Sequence, residues 1–396
     1  MAKREPILIV GGGLGGLTTA LALARRGYAS RVLEGAAEFG AIGYGIQFGP
    51  NVFHVFDRIG LMDQVLAVSD APAALLMRDA LDGNELIRIA TGASFRARFK
   101  YPYIIVHRID LHNVLLDACR HNDAIELVAD AMVTSFAERG DGVTVTTADG
   151  REFSGGALIA ADGIRSLFRQ ELIGDVERPI GYVALRTIVP IADLKADVHR
   201  DCVVLWGGPG FHIVHYPLRH GKEFNIVAVF RTSTHAEKGD AASYRAELEH
   251  TYRDAHPLMR ALIAMMDLRW RRSIGDRDPA RPWHQGRIVL VGDAAHAPLQ
   301  SLAQGACMAI EDGLCLAESI EVAAGDYGAA FRAYEKARLL RTARVQLESR
   351  ALWDFYHAGG IAREVRNATV ADWDEAHLFD CLAWLYDGAP LPAKAH

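Results

Sequence analysis

The feature that most constrains this chain is a glycine pattern close to its N-terminus. Ile7–Val10 is fully apolar, as in a buried strand, and Leu17–Arg26 is rich in leucine and alanine, as in a helix. Between the two lies Gly11-x-Gly13-x-x-Gly16. In a strand–turn–helix unit the first glycine permits a tight turn, the second lets backbone approach a pyrophosphate, and the third lets helix and strand pack closely. The pattern therefore predicts an α/β dinucleotide-binding fold.

An acidic residue after the next predicted strand supports this prediction. Ser30–Leu33 ends at Glu34, 18 residues after Gly16. A carboxylate at this point can accept hydrogen bonds from the ribose hydroxyls of an adenosine. The N-terminus of the predicted helix supplies unpaired N–H groups and the positive end of a helix dipole for the phosphates.

Composition excludes several other classes of protein. The 43 Lys and Arg against 49 Asp and Glu give a net charge of −6 without a basic run, so we expect no nucleic-acid partner. The 5 scattered cysteines include no C-x-x-C pair, which argues against disulfides and structural zinc and indicates a cytoplasmic location. Ile7–Ala24 is uncharged like an export signal, but its clustered glycines would destabilise an apolar helix. No later segment is apolar and long enough to span a membrane.

Two more predicted strands end beside an aspartate. Ala157–Ala161 is followed by Asp162-Gly163, and Arg287–Val291 is followed by Gly292-Asp293. Either acid alone is more often a turn residue or a helix cap. The carboxyl ends of parallel strands, however, meet at one edge of a doubly wound sheet, where ligands bind. Together with the glycine pattern, the two acids predict one ligand site at that edge.

These three motifs, in this order, resemble those of the flavoprotein aromatic hydroxylases, the single-component FAD monooxygenases related to p-hydroxybenzoate and salicylate hydroxylase. The resemblance extends over about Pro6–Arg344. It implies an α/β fold: a FAD-binding Rossmann-like domain of the GR2 type with an inserted mixed β-sheet substrate domain and a helical C-terminal part. We divide the chain accordingly into 1–178 (FAD domain, first part), 179–278 (substrate domain), 279–326 (FAD domain, second part) and 327–396 (helical region).

The resemblance also implies which residues hold FAD. The glycines would cradle the pyrophosphate, Glu34 the adenosine ribose, Arg108 the phosphates and Asp293 the ribityl chain, while Asp162 would contact both FAD and NADH or NADPH. Gly40–Gln47 is too rich in glycine for a regular helix, and we expect a loop whose backbone approaches a flat ligand. The full expected set is Gly11, Gly13, Leu14, Gly15, Gly16, Glu34, Gln47, Arg108, Asp162, Asp293, Gln304, Gly305 and Ala306; the last three begin a helix whose dipole would face the flavin.

The predicted strand Phe211–Tyr216 carries the candidate substrate residues. A period of two places His212, Val214 and Tyr216 on one face and the alternate residues on the other. A lone histidine there is more often a plain sheet residue, but the family resemblance implies His212 as the base, with Gln300 as its partner. It also implies Tyr103 and Tyr216 near the substrate, where they would orient its carboxylate or the flavin hydroperoxide.

The chain departs from the family pattern after Asp293. Gln300 replaces the second proline of H-P-x-x-P, and Ala303 and Cys307 replace a glycine and the asparagine of G-Q-G-x-N. An amide at position 300 can hydrogen-bond a substrate hydroxyl, which proline cannot do. Because these residues depart from the family pattern, a non-catalytic flavoprotein is kept as an alternative.

The resemblance implies an enzyme that reduces FAD with NADH or NADPH and transfers one O2 atom to a small aromatic acid through C4a-hydroperoxyflavin. The expected reaction is 3-hydroxybenzoate to 2,5-dihydroxybenzoate (gentisate). Hydroxylation of salicylate or a hydroxynicotinate is the first alternative, and a FAD oxidase or non-catalytic flavoprotein the second. We expect a homodimer without a bound metal.

Overall fold

The computed structural model describes residues 5–40, 43–194, 197–232, 241–269 and 271–388. Residues 41 and 42 of the predicted glycine-rich loop and the end of the helical region, 389–396, lie outside this part. The strands are β1 (Ile7–Val10), β2 (Ser30–Leu33), β3 (Gly45–Phe48), β4 (Ser69–Asp70), β5 (Ala74–Asp79), β6 (Glu85–Ala90), β7 (Ile104–His107), β8 (Ile125–Val128), β9 (Val133–Arg139), β10 (Gly142–Thr147), β11 (Glu152–Gly155), β12 (Ala157–Ala160), β13 (Arg178–Pro190), β14 (Val203–Gly208), β15 (Phe211–Leu218), β16 (Glu223–Arg231), β17 (Arg271–Asp276), β18 (His284–Gln285) and β19 (Ile288–Leu290).

The helices follow the same chain order. They are α1 (Leu14–Ala24), α2 (Phe53–Ile59), α3 (Met62–Ala67), α4 (Ala93–Phe99), α5 (Arg108–Arg120), α6 (Leu167–Leu172), α7 (Ala241–Thr251), α8 (Pro257–Ile263), α9 (Asp293–His296), α10 (Gly305–Val322), α11 (Tyr327–Tyr356), α12 (Ile361–Val370) and α13 (Glu375–Tyr386). Within the described residues, none of these helices has the length and apolar character needed to cross a membrane.

The first large sheet is the predicted dinucleotide-binding sheet. Its strand order is β18-β19-β12-β1-β2-β8, and every pair except β18–β19 is parallel. All four residues of β1 are buried, as expected for a central parallel strand. Because β12 and β19 lie side by side, Asp162 and Asp293 follow the same edge of the sheet, which confirms the α/β prediction for this part of the chain.

The second large sheet has the order β17-β13-β16-β15-β14-β5-β6. Five of its strands come from the predicted substrate segment, while β5 and β6 come from the first part of the chain and join through the parallel pair β14–β5. The sheet therefore extends across the predicted limit at residue 179, although the division into domains itself stays a prediction. Pairing of β14 with β5 satisfies backbone groups that would otherwise form an open edge.

Strand β15 shows the predicted alternation. Phe211 and Ile213 pack into a core with residues of α7 and α8. His212, Val214 and Tyr216 lie on the opposite face and line a cavity. The same face of β13 presents Arg186, which is in register with Val227 of β16 and, through it, with Val214.

A buried group of ion pairs joins α10 to α11. Arg338 donates to Asp312 (2.7 Å) and to Glu311 (2.5 Å), and Arg341 donates to both oxygens of Glu311 (2.8 Å each). Burial alone would raise the pKa of Glu311, but Arg338 and Arg341 lower it to about 2. Asp312 also accepts from the backbone N–H of Gly292 (2.9 Å) and from His296 Nε2 (2.6 Å). The network thus fixes the segment that leads into Asp293 against the long helix α11.

Removing Arg338 should destabilise the protein strongly. Arg338→Met leaves Asp312 as a buried carboxylate without its cation, and we expect the free energy of unfolding to fall by about 3–5 kcal/mol. Arg120→Met, which removes an exposed pair with Asp117, is the matched control and should cost no more than about 1 kcal/mol. Urea unfolding followed by tryptophan fluorescence measures both, and equal small losses would contradict the assigned role of the buried pairs.

Candidate functional site

One cavity of about 1050 Å³ extends from the carboxyl ends of β1 and β12 to the β15 face of the second sheet. It brings together nearly all of the residues singled out by the sequence analysis. Those that line it are Gly11, Gly13, Leu14, Gly15, Glu34, Gln47, Tyr103, Arg108, Asp162, His212, Tyr216, Asp293, Gln300, Gln304, Gly305 and Ala306. Their separate roles remain predictions, but their common position fits one extended ligand with a second small molecule beside it.

The glycines of the first motif differ in what surrounds them. Gly11 has φ +109°, and a Cβ there would lie 2.3 Å from the carbonyl oxygen of Ala161. A Cβ on Gly16 would lie 2.0 Å from the carbonyl oxygen of Gly11, so this glycine lets helix and strand pack, as the third glycine should. A Cβ on Gly13, just before α1, would have no neighbouring atom within 4 Å. Its bare backbone and the free N–H groups of the first helical turn fit a pyrophosphate.

Glu34 is held at the edge of the cavity by backbone donors. Its Oε2 accepts from the N–H of Gly12 (2.7 Å) and its Oε1 from the N–H of Ala36 (2.9 Å). Each carboxylate oxygen can accept a second hydrogen bond. The fixed carboxylate therefore fits the predicted contact with ribose hydroxyls.

Three charged side chains, Asp162, Arg108 and Asp293, line the cavity. Asp162 accepts from the N–H of Leu167 (2.9 Å) through Oδ2, whereas its Oδ1 is buried and unpartnered. Burial raises the pKa of Asp162 and of Asp293. Burial lowers the pKa of Arg108, and the nearby carboxylate of Asp293 partly offsets this decrease. Buried polar groups in proteins normally have partners. The unpartnered oxygen of Asp162, together with the charged groups of Arg108 and Asp293 on the same cavity, fits a bound FAD.

The departures from the family pattern have local explanations. Ala303 has φ 52° and ψ 35°, the left-handed conformation that favours the glycine found there in the family. Gln304, the N-cap of α10, is buried and accepts from Asn51 Nδ2 (3.1 Å). Cys307 is buried within α10, and burial raises the pKa of its thiol to about 12, so it packs as an apolar residue.

The segment before α2 corrects one prediction. Gly45–Phe48 is strand β3, paired with β7, and not the expected loop. A Cβ on Gly45 would lie 2.4 Å from the Tyr216 ring, so glycine is needed here because a tyrosine packs on the backbone. Gln47, predicted among the FAD contacts, accepts a hydrogen bond from the Tyr103 hydroxyl (2.6 Å). Burial raises the pKa of Tyr216 to about 12, with Arg186 and Gln47 acting in the opposite direction.

Arg186 is a site residue that the sequence analysis missed. Its Nη2 donates to Oε1 of Gln300 (2.9 Å). Within the described residues it has no carboxylate partner, and burial lowers its pKa. An arginine at the centre of the apolar strand YVALRTIV was the available signal. The cavity therefore contains an uncompensated cation beside Gln300.

His357 was also missed. It lies just past the end of α11, and its Nε2 is 2.8 Å from Nδ1 of His212. Burial, and then His357, lower the pKa of His212 well below its ordinary value. The His212 imidazole is therefore neutral at neutral pH and can accept a proton. No local sequence pattern connects two residues so far apart along the chain.

Comparisons with known proteins agree with this geometry. Residues 4–348 match the sequence profile of the family described as "FAD binding domain". The chain is 39% identical over 381 residues to 3-hydroxybenzoate 6-hydroxylase of Polaromonas naphthalenivorans, covering 96% of this chain and 95% of that protein. It is 39% identical over 387 residues to the enzyme of the same name from Klebsiella oxytoca, covering 98% and 97%. The structure of Klebsiella pneumoniae HpxO complexed with FAD and uric acid superposes with a TM-score of 0.84 at 26% identity, covering 98% and 97%.

Asp293 should contribute to retention of FAD. Asp293→Ala removes a charged acceptor, and the loss of such a hydrogen bond is worth about 1.5–3 kcal/mol, or roughly 10- to 150-fold in the dissociation constant. Reconstitution of the apoprotein with FAD, followed by flavin fluorescence, measures the constant. Asp149→Ala, in the exposed turn between β10 and β11, is the control and should bind FAD as the unmodified protein does. The same affinity for both variants would rule out the role assigned to Asp293.

Proposed function

The chain belongs to the FAD binding domain family, with 3-hydroxybenzoate 6-hydroxylases among its relatives, and from this premise we propose that it hydroxylates 3-hydroxybenzoate to gentisate. The main support for this proposal is the set of residues that line the cavity. One end carries the FAD-fitting residues, and the other carries a neutral histidine, an amide and an uncompensated arginine. These three groups match the hydroxyl and carboxylate of a hydroxybenzoate.

The cofactor end has a simple division of roles. Gly13 and the start of α1 would hold the pyrophosphate, Glu34 the ribose, and Asp293 the ribityl chain. When bound, FAD supplies the redox chemistry, accepting hydride from NADH or NADPH and activating O2 for transfer to the substrate ring. The protein contributes position, because residues of both sheets and of the C-terminal helices line the cavity.

His212 would accept the proton of the substrate hydroxyl. The Nδ1 of His212 is engaged by His357, so Nε2 is the nitrogen left for the substrate. Ionising the phenol raises the electron density of the ring and makes it a better nucleophile. General base catalysis of this kind is typically worth ~10²–10⁴ in rate. A histidine that burial keeps neutral is available for this step at physiological pH.

Gln300 and Arg186 would act as a pair. Because Arg186 donates to Oε1 of Gln300, the NH2 group of Gln300 is left to donate a hydrogen bond to the ionised phenolic oxygen. The other guanidinium N–H groups of Arg186 can bind the substrate carboxylate in a bidentate manner. A carboxylate there would also compensate a half-buried positive charge that lacks a carboxylate partner in the described part of the chain.

The direct test is a substrate screen with purified yellow protein. We expect 3-hydroxybenzoate to stimulate oxidation of NADH or NADPH and to yield one gentisate per O2 consumed, identified by liquid chromatography and mass spectrometry. Salicylate and 6-hydroxynicotinate are run beside it, because preferential turnover of either would replace the proposed substrate. Stoichiometric H2O2 release without a pyridine nucleotide would instead identify an oxidase.

Replacing the base should uncouple the reaction. His212→Ala should still oxidise NADH or NADPH with substrate bound, since hydride transfer needs no ionised substrate, but most of the O2 should appear as H2O2. Gln300→Ala should show the same effect in milder form, because a hydrogen bond and not a proton acceptor is lost. The ratio of gentisate to NADH measures coupling, and exposed His121→Ala is the control. Tight coupling in both site variants would remove this pair from the proposed mechanism.

Replacing the arginine should weaken binding of the acid specifically. Arg186→Met loses a charge-assisted contact worth about 1.5–3 kcal/mol, so the kcat/KM for 3-hydroxybenzoate should fall roughly 10- to 150-fold. The uncharged analogue 3-hydroxybenzamide is the internal control, since its binding gains no ion pair in the unmodified protein. Equal losses for the acid and the amide would mean that Arg186 does not bind the carboxylate.

Two further expectations belong to this proposal. A homodimer rests on the family resemblance and is consistent with exposed Leu340 and Leu347 on α11, which leave apolar surface uncovered on this helix. A cytoplasmic location is supported by the free cysteines, four of them buried and one exposed.

A further inference from the structure

Three side chains of metal-binding type lie together just before strand β14. They are His199, Asp201 and Cys202, and one ring nitrogen, one carboxylate oxygen and the Sγ all lie within 4.8 Å of one another. His199 and Asp201 are exposed, whereas Cys202 is buried. Cys202 packs into the core that contains residues of α7 and α8, so the cluster lies on the opposite face of the substrate sheet from His212. The proposed reaction does not use these three residues.

We propose that His199, Asp201 and Cys202 form a site for one zinc-like divalent transition-metal ion, with a fourth position open to water. Thiolate sulfur, imidazole nitrogen and carboxylate oxygen are the ligands that Zn²⁺ takes in proteins. Mg²⁺ and Ca²⁺ prefer oxygen ligands, so the thiol and the imidazole disfavour both. The proposal departs from the expectation of no bound metal, which considered C-x-x-C pairs and not the H-x-D-C spacing found here.

The lone pairs that a metal needs are available in this cluster. The Asp201 carboxylate accepts one hydrogen bond within the described residues, from the Cys202 thiol to Oδ1 (3.3 Å). The His199 ring takes part in no hydrogen bond or ion pair in the same part of the chain. A metal ion would therefore replace the thiol proton between Cys202 and Asp201 and would displace no other partner.

The separation of the ligand atoms suits a tetrahedral ion after small side-chain movements. With Zn–S of about 2.3 Å and Zn–N and Zn–O of about 2.0–2.2 Å, tetrahedral ligand atoms lie about 3.3–3.6 Å apart. The backbone of this segment is fixed, because the carbonyl oxygen of Asp201 accepts from the N–H of Ala73 (2.7 Å). The exposed side chains of His199 and Asp201 can rotate toward the buried Cys202 Sγ to close the remaining distance.

The surrounding charges also suit a divalent cation. Arg88 acts electrostatically on Cys202, and Glu85 interacts with His199. These two neighbours form a two-fold ion pair (2.6 and 2.7 Å) and neutralise each other. Burial, and then Asp201, raise the pKa of Cys202 to about 11, so its thiol is protonated without a metal. The thiolate and Asp201 together supply two negative charges, which one divalent ion compensates.

A second cavity, of about 230 Å³, provides room for the fourth ligand. His199 lines it together with Trp206 and His215. His215 is completely buried, and its Nε2 accepts from the indole N–H of Trp206 (3.0 Å). Because an indole only donates, the proton of the His215 ring is on Nδ1, and this N–H has no partner within the described residues. It can donate to a water molecule or small anion held beside the metal.

Metal binding to the untagged, FAD-loaded protein tests the site. Equilibrium dialysis against Zn²⁺, with metal analysis by mass spectrometry, should give one zinc ion per chain that excess Mg²⁺ does not displace. His199→Ala and Cys202→Ser should each weaken binding at least about tenfold, because loss of a group that merely orients a ligand already costs about 10- to 100-fold. Cys381→Ser, which removes an exposed free cysteine, is the matched control and should bind zinc as the unmodified protein does.

Two further readouts report on the thiolate itself. In weakly buffered solution near neutral pH, Zn²⁺ should release about one proton per ion from the unmodified protein and fewer from Cys202→Ser, because the ligand must be deprotonated. Co²⁺ in place of Zn²⁺ should give a sulfur-to-cobalt charge-transfer band in the difference spectrum, and Cys202→Ser should lose it. Urea unfolding without metal shows whether Cys202→Ser folds normally. The exposed position of His199 makes His199→Ala the second, independent test.

Three outcomes would overturn the proposal. They are no stoichiometric zinc binding by the unmodified protein, equal zinc affinity in the unmodified protein and His199→Ala, and binding without proton release or a charge-transfer band. None of these measurements depends on turnover of an aromatic acid. The metal site and the proposed hydroxylation therefore stand or fall separately.

Discussion

The buried ion pairs between α10 and α11 are the interaction on which the rest of the site depends. Asp312 joins Arg338 of α11 to the backbone of Gly292, which precedes Asp293 at the cofactor end of the cavity. The far end of the same long helix leads to His357, behind the proposed base. Such pairs are costly to break because a lone buried charge remains. One rigid helix thus fixes the two ends of the cavity relative to each other.

The second constraint is a positive charge without a carboxylate partner on the cavity face of the substrate sheet. The cavity face of the substrate sheet presents valines beside Arg186, whose only hydrogen bond in the described residues goes to Gln300. Burying a cation without a counter-ion is unfavourable, and an anionic ligand relieves that cost. The same side chain occupies the amide oxygen of Gln300, which leaves the NH2 group of Gln300 to donate to the substrate. Carboxylate binding and orientation of the phenolic oxygen are therefore coupled in our proposal, which would favour substrates that carry both groups.

The sequence predicted those features that local patterns determine. The glycine turn, the aspartates after β12 and near β19, and the alternation of His212 and Tyr216 follow from periodicity and strand ends. The sequence did not predict that β5 and β6 join the substrate sheet, because strand pairing across more than a hundred residues leaves no local trace. The His357 contact was missed for the same reason. Strand β3 was expected to be a loop, because glycines dominate that segment, whereas the predicted contact of Gln47 with the cofactor stays a prediction.

The central claim is that a neutral, buried His212 takes the phenolic proton, so that the substrate ionises in the complex. Absorbance titration of 3-hydroxybenzoate bound to the FAD-loaded protein, without NADH or NADPH, measures this directly. We expect the phenolate band of the bound substrate to develop well below the pH of about 10 that is usual for a phenol. In His212→Ala this shift should disappear. A bound substrate that titrates like the free phenol, or an equal shift in His212→Ala, would contradict the account.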